Sequence, residues 1–290
     1  MKSSNIGGQA VMEGVMMRNA DKYAVAVRKT DGEIVVKTEE YKGIVQNKKI
    51  RSLPIIRGVF SFIDSMVLGM STLTYSASFF MDEEEEEKDE KKESVMMGLT
   101  IACSVVMAVA IFMILPYFLS QLFRKFTDST TLITLLEGAV RLVIFFGYIL
   151  LISRMKDIQR VFMYHGAEHK CINCIEHGME LNVENVLKSS RLHKRCGTSF
   201  LFIVMIVSII FFLFIRIESP IWRVVFRLLL IPVIAGVSFE FIRLAGKSEN
   251  KLVIFLSKPG MMLQKLTTRE PDASMAEVAI ASVEAVFDWR

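Results

Sequence analysis

YHGAEHKCINCIEHGMELNVENVLKSSRLHKRCGTS, residues 164–199, lies between two strongly apolar stretches, about 132–153 and about 199–215. It holds all four histidines of the chain (His165, His169, His177 and His193) and three of its four cysteines (Cys171, Cys174 and Cys196). A polar, ligand-rich segment strung between apolar runs of membrane-crossing length sets the fold class. It is also the one part of the sequence equipped for chemistry.

Outward from it the chain is too apolar for an ordinary soluble protein. Of its 290 residues 52% are hydrophobic, and the mean hydropathy is +0.41. Four apolar runs account for this, at about 95–122, 132–153, 199–215 and 221–244. Each is near the ~20 residues that a helix needs to cross a bilayer. The N-terminal MKSSNIGGQAVMEG has one lysine and no apolar core, which is not a secretory signal. The expected fold is mostly α and integral to the membrane, with four transmembrane helices, interfacial helices and a small N-terminal β-structure.

Seven segments follow. Residues 1–52 are polar, and Gly7, Gly8 and Gly14 suggest a backbone-driven loop, with an anion-binding nest as its functional form. Tyr23–Arg28 and Glu33–Lys37, with Asp31-Gly32 between them, predict a hairpin. Two strands alone are unstable in water, so other parts of the chain must cover them. Over 53–81, apolar residues at Ile56, Val59, Phe60, Ile63, Met66, Val67, Met70 and Leu73 recur at helical spacing. Arg57 and Asp64 oppose a lipid-facing span, so the spacing predicts an amphipathic helix in the membrane interface. Residues 82–94 are an acidic, low-complexity linker. Then come a transmembrane hairpin at 95–153, a His/Cys loop at 154–198, a second hairpin at 199–244 and a C-terminal segment at 245–290. In that last segment, 252–266 is too short to span and predicts a second interfacial element, and Glu270-Pro271-Asp272 opens a final helix.

Charge sets the orientation. The 154–198 loop carries eight lysines and arginines and residues 1–52 carry ten, against two in the first hairpin turn (Arg124, Lys125) and one in the second (Arg216). Basic loops stay in the cytoplasm, so the N-terminus, the central loop and the C-terminus are all expected there. A span at 53–81 would separate the two basic segments. Inside the second span Glu137 and Arg141 are four apart with the acid first, the order that pairs on one helical face. Glu137 is expected to pair with Arg141, Arg223 or Arg227. A transport path marked by these charges is a weaker reading than pairing between helices, with only four spans and no broken helix.

His165-Gly166-Ala167-Glu168-His169 is an H-x-x-E-H string. On a helix both imidazoles share a face and Glu168 flanks them, as in inverted zincins. His193 and Cys196 are three apart, and Cys171 and Cys174 form C-x-x-C. Two sites therefore compete. One is catalytic, from His165, Glu168 and His169 with His193 or Cys196. The other is a structural Cys3His knuckle from Cys171, Cys174, His193 and Cys196. Glu176, Glu180 and Glu184 could add carboxylate ligands, while Glu13 and Arg18 could support the site or simply pair with each other or with loop backbone. The bland alternative is a solvated loop that caps its neighbouring helices.

The strings GGQAVMEGVMMR (7–18), YHGAEHK (164–170), RLHKRCGTSF (191–200) and LTTREPDASMAEVAIAS (266–282) resemble those of the YqhQ-like family of bacterial membrane proteins. Members are sometimes described as predicted metal-dependent enzymes. The resemblance covers nearly the whole chain, and its pattern carries over to His165, Glu168, His169, His193 and Cys196. The family has other residues at 171 and 174, which weakens the knuckle. The expectation is a divalent metal, zinc, on His165, His169, His193 and Cys196, with Glu168 as catalytic base of a hydrolase in the bacterial cytoplasmic membrane. The competing expectation is a non-enzymatic scaffold or biogenesis factor, with a structural metal or none. Expected partners are lipids and other membrane proteins, not nucleic acid.

Overall fold

The computed structural model describes residues 4, 6–80, 90–215, 217, 219–248 and 250–289. Most of the acidic linker, and Arg216 and Glu218 of the second turn, lie outside the described residues. The chain forms two compact units. One comprises Met1–Phe80, Ile152–Ile203 and Ala235–Arg290; the other comprises Met81–Leu151 and Val204–Ile234.

Four strands open the chain: β1 (Ile6–Val11), β2 (Gly14–Asn19), β3 (Lys22–Arg28) and β4 (Ile34–Glu40). They form one antiparallel sheet in the order β1-β2-β3-β4. The hairpin read at Asp31-Gly32 is there, with Gly32 at φ +89° and Val27 opposite Val35. The glycine-rich stretch at 7–14 is not a loop. It is a second hairpin, Val11 opposite Gly14, turning through Met12 and Glu13. Gly8 and Gly14 serve close approach instead: a Cβ at position 14 would stand 2.2 Å from the carbonyl oxygen of Ala26.

The helices are α1 (Lys48–Ser52), α2 (Ile56–Ala77), α3 (Glu90–Val109), α4 (Leu115–Gln121), α5 (Thr130–Ile152), α6 (Lys156–Glu176), α7 (Val183–Lys188), α8 (Gly197–Leu213), α9 (Pro220–Lys247), α10 (Lys251–Thr267) and α11 (Ala273–Glu284). Between α3 and α4 the helix widens to a π-turn over Ala110–Ile114. Pro116 supplies the reason. It has no N–H to give, and the Leu115 N–H reaches back five residues to Ala110 instead of four. Asp272 caps α11, its carboxylate accepting from the Met275 amide, as the Glu-Pro-Asp string predicts.

Among the described residues four helical stretches are long and apolar enough to cross a membrane: Ile56–Phe80, Gly98–Lys125, Thr130–Ile152 and Pro220–Gly246. The number is the expected one, but the set differs. By length and composition the 56–80 helix qualifies, whereas Gly197–Leu213 is a shorter apolar helix. The central segment 154–198 is largely helical, not a loop, because α6 and α7 occupy it.

The sheet is covered on both faces within the first unit. Val15, Met17, Ala24 and Ala26 share a core with Tyr164, Ala167, Cys171 and Cys174 of α6 and with Met275, Val278, Ala279 and Val283 of α11. Val11, Met16, Val25 and Val27 pack on Leu68 of α2. In the second unit Glu137 is 2% exposed and pairs with both Arg141 (2.9 Å) and Arg227 (2.5 Å). Arg141 also donates to the Ser208 hydroxyl, and both guanidinium groups lie over Phe212. The third predicted partner, Arg223, turns to the Ile217 carbonyl instead.

Candidate metal centre

His165 and His169 are four residues apart on α6, and their rings stack edge to face with centroids 4.4 Å apart. Cys196 precedes the first turn of α8. Its carbonyl accepts the Phe200 amide, and its sulfur accepts the Thr198 amide at 3.4 Å and lies 3.3 Å from His165 Nε2. One ligand atom from each of these three residues lies within 4.8 Å of the other two. Glu168 and Cys196 are each 5% exposed and His169 is 1% exposed.

The tautomers are set from outside the cluster. His165 Nδ1 lies 2.9 Å from the Thr267 carbonyl oxygen, and His169 Nδ1 lies 2.7 Å from that of Arg191. A carbonyl can only accept, so each Nδ1 carries its proton. Each Nε2 is then left to face the cluster, the outer arrangement that orients metal-binding histidines.

Electrostatics favour a deprotonated sulfur. Burial alone would raise the Cys196 thiol, but the adjacent His165 and His169 outweigh it and hold the group well below the usual thiol range. A place at a helix N-terminus acts in the same direction. Burial would lower His165, yet the charge and hydrogen bond of Cys196, with Glu168 beyond, push it up to about 9. Both shifts run toward a thiolate–imidazolium pair when no metal is bound. Burial raises the Glu168 carboxyl, and among the described residues Glu168 Oε2 has no hydrogen-bond partner. A buried carboxylate oxygen left unpaired beside two imidazoles and a thiolate calls for a ligand or a proton.

Close packing builds this geometry. A Cβ at Gly166 would meet the Arg269 carbonyl oxygen at 2.0 Å, so only glycine lets the chain after α10 lie against α6 and bring Thr267 to His165. Gln264 clasps the backbone of His193 from both sides: it accepts from the amide (2.8 Å) and donates to the carbonyl (2.7 Å). It also donates to Ser199 Oγ, which secures the segment that delivers Cys196. From α6, Lys170 donates to the Leu187 and Ser189 carbonyls, and Asn173 donates to those of Ser190 and Leu192.

The other predicted residues stand apart from the three. His193 Nε2 faces Glu176 at 3.3 Å, and its ring centroid is 5.8 Å from that of His169. To act as a ligand it would have to leave Glu176. Burial works to raise the Glu176 carboxyl, but hydrogen bonds from His193 and the Ser4 amide, with the charge of Arg195, hold it at about 2. Cys171 and Cys174 point into the sheet core, and Cys174 donates toward the Glu180 carbonyl. They do not join Cys196, so among the described residues the Cys3His knuckle is not assembled. His177 bonds the Asn173 carbonyl of its own helix, Glu180 is exposed and Glu184 pairs with Lys188. Glu13 pairs with Arg160 on α6 rather than with Arg18. Arg18 binds loop backbone, at the Ala20 and Tyr41 carbonyls.

Residue type and spacing alone do not reveal Gly8, Gly166, Gln264 or Thr267. The one local signal is Gln264, a lone amide among the apolar residues of α10.

Fold and site together define a mostly helical membrane protein with a small N-terminal sheet and a buried two-histidine, one-cysteine cluster. The family described as "Protein of unknown function (DUF1385)" matches residues 53–289. A relative from Bacillus subtilis (strain 168), "Uncharacterized protein YqhQ", is 37% identical over 287 residues, covering 95% of this chain and 90% of its own. The chain belongs to this YqhQ-like family. No solved structure matches it.

Proposed function

We propose that the protein is an integral-membrane metalloenzyme, a hydrolase that holds a divalent metal, zinc, on His165 Nε2, His169 Nε2 and Cys196 Sγ. The observation that carries this reading is the outward anchoring of both Nδ1 atoms, which leaves both Nε2 atoms to face the cluster with the Cys196 sulfur. Two histidines and one cysteine with a fourth position open form a donor set of catalytic zinc sites, whereas structural sites close with four protein ligands. Zinc, when bound, supplies Lewis acidity at the reacting centre. Glu168 presents its unpaired Oε2 beside the ligands and takes the proton from the attacking water. His193 stays outside the ligand set, held by Glu176.

The excess of lysine and arginine in the N-terminal segment and in 154–198 supports a cytoplasmic position for both termini and the site in a bacterial cytoplasmic membrane. The second reading is a scaffold whose metal only ties α6 to the segment entering α8. The burial of His169, Cys196 and Glu168 favours that reading.

Metal analysis of the purified full-length protein, combined with complementation, separates the two. The enzyme reading expects His169→Ala to lose metal and function together, and Glu168→Gln to keep the metal and lose function. Full complementation by Glu168→Gln with failure of His169→Ala makes the metal structural. Wild-type protein purified without chelator and free of metal removes both readings.

A further inference from the structure

Two helices of the first unit are built inside out. On α2 the inward residues are small or polar apart from Leu68. Asp64 accepts from the Tyr41 hydroxyl and the Ile44 amide, the Gly69 carbonyl accepts from Gln9 and Ser76 Oγ accepts from the Met12 amide. Large apolar residues face out: Ile63, Met66, Val67, Met70 and Leu73 are 37–56% exposed. The same inversion holds on α10. Ser257, Gly260, Gln264 and Thr267 are buried, while Leu252, Phe255, Leu256 and Met262 are 49–65% exposed.

Length and hydropathy make α2 eligible to span, but its neighbours forbid it. The sheet and its first turn lie along α2 from Leu68 to Ser76, about 12 Å of its axis. If α2 crossed a ~30 Å hydrocarbon layer, the sheet would have to enter that layer with it. β4 is an edge strand with exposed Lys37, Glu39 and Glu40, and Lys37 lies over the Tyr75 ring of α2. Open strand edges and charges of this kind do not sit in lipid.

We propose that α2 and α10 lie in the plane of the membrane interface and seat the sheet and the His/Cys cluster on the lipid surface by their exposed apolar stripes. Continuity with α9 fixes the depth. Gly58 of α2 packs against Gly236 of α9, where a Cβ would meet the Gly236 carbonyl oxygen at 2.8 Å, and Arg57 pairs with Glu240. Glu240 is seven residues before the last residue of α9, about 10 Å along its axis, which is the depth at which a spanning helix leaves the hydrocarbon. Charge agrees. Lys49 and Arg51 precede α2, and Lys258 and Lys265 are exposed on α10, where anionic headgroups attract them. In this arrangement the outer face of α10 meets the bilayer while Gln264 and Thr267 hold the segments that carry Cys196 and His165. The proposal stands without the metal.

The test is spin-label depth measurement on the full-length protein in nanodiscs of phosphatidylethanolamine and phosphatidylglycerol. Cysteines replace Ile63, Met66, Met70, Leu73, Phe255 and Met262 one at a time in a Cys103→Ser background, the remaining native cysteines being buried. Accessibility to oxygen and to a nickel chelate reports depth. In-plane helices give one shallow depth at all six sites, within about 5–10 Å of the headgroup boundary. A spanning α2 gives a depth that changes by about 15 Å between Ile63 and Leu73. That gradient, or strong nickel access with little oxygen access throughout, would overturn the proposal.

Discussion

Gly8 and Glu168 touch where the first strand meets α6: a Cβ at position 8 would lie 2.8 Å from Glu168 Cγ, and equally close to the Met16 carbonyl oxygen and Met17 Sδ. The glycine-rich string at the N-terminus is therefore part of the site, because it sets how deeply the catalytic candidate can sit. Gly8→Ala forces a shift of Glu168 or of the strand, at a cost of about 1–3 kcal/mol in overpacking. The expected result is a lower thermal midpoint in detergent and failed complementation, with metal content retained because no ligand is touched. Gly7→Ala is the control, since nothing lies within 4 Å of a Cβ there. Equal behaviour of the two variants would remove Gly8 from the site.

The H-x-x-E-H string and the final helix were legible because their signals are local: spacing of four on a helix, and an aspartate cap. Cys171 and Cys174 misled because three apart is also a helical spacing. With Ala167 they form the α6 face that packs into the sheet core, so proximity in sequence to the histidines is not proximity in space. Gly7, Gly8 and Gly14 signal a loop when only local freedom is weighed, whereas Gly8 and Gly14 are required by contacts with residues far along the chain. Thr267 and Gln264 act through sequence separations near 70 to 100, which no local pattern reports. Arg57 and Asp64, read as arguments against a span, are each satisfied inside the fold, by Glu240 and by Tyr41 with Ile44.

Glu137 bridges two arginines, so its loss strands both. Glu137→Leu leaves Arg141 and Arg227 buried without a counter-charge, at a cost of roughly 3–5 kcal/mol. The variant should melt markedly earlier than wild type in detergent. Replacing all three residues by leucine should recover much of that loss, because the buried charges go together. Normal stability of Glu137→Leu alone would show that the Phe212 ring, which both guanidinium groups face, suffices for them.

Acid should loosen the segment that carries Cys196. The folded Glu176 carboxyl is held at about 2 against roughly 4.3 in an unfolded chain. A depressed carboxyl stabilises the fold fully above the unfolded value, and that contribution is lost as pH falls from there toward the folded value. The difference corresponds to about 3 kcal/mol at neutral pH. Melting curves from pH 7 to 3 should show wild type well above Glu176→Gln at pH 7, with the gap closing below about pH 4. A gap that stays constant across the range would mean that Glu176 acts by shape alone.

Metal removal provides the last prediction. His165, His169 and Cys196 come from α6 and from the segment entering α8, so a bound ion ties together parts of the fold that otherwise meet through hydrogen bonds and packing alone. Ligands that bind only the folded state stabilise by mass action, by about 2.7 kcal/mol when free metal is 100-fold above its dissociation constant. Wild-type protein dialysed against EDTA should therefore melt earlier, and added zinc should restore the midpoint. Cys196→Ser keeps a small polar side chain beside Thr198 but replaces the thiolate by a hydroxyl that stays protonated at neutral pH. It should retain little metal and respond weakly to zinc, and the pH dependence of its binding should no longer include a thiol. Glu168→Gln should respond to zinc like wild type, because a base beside the ligands does not hold the ion. A wild-type midpoint that moves with neither chelator nor zinc would leave the thiolate–imidazolium pair as the working form of the site.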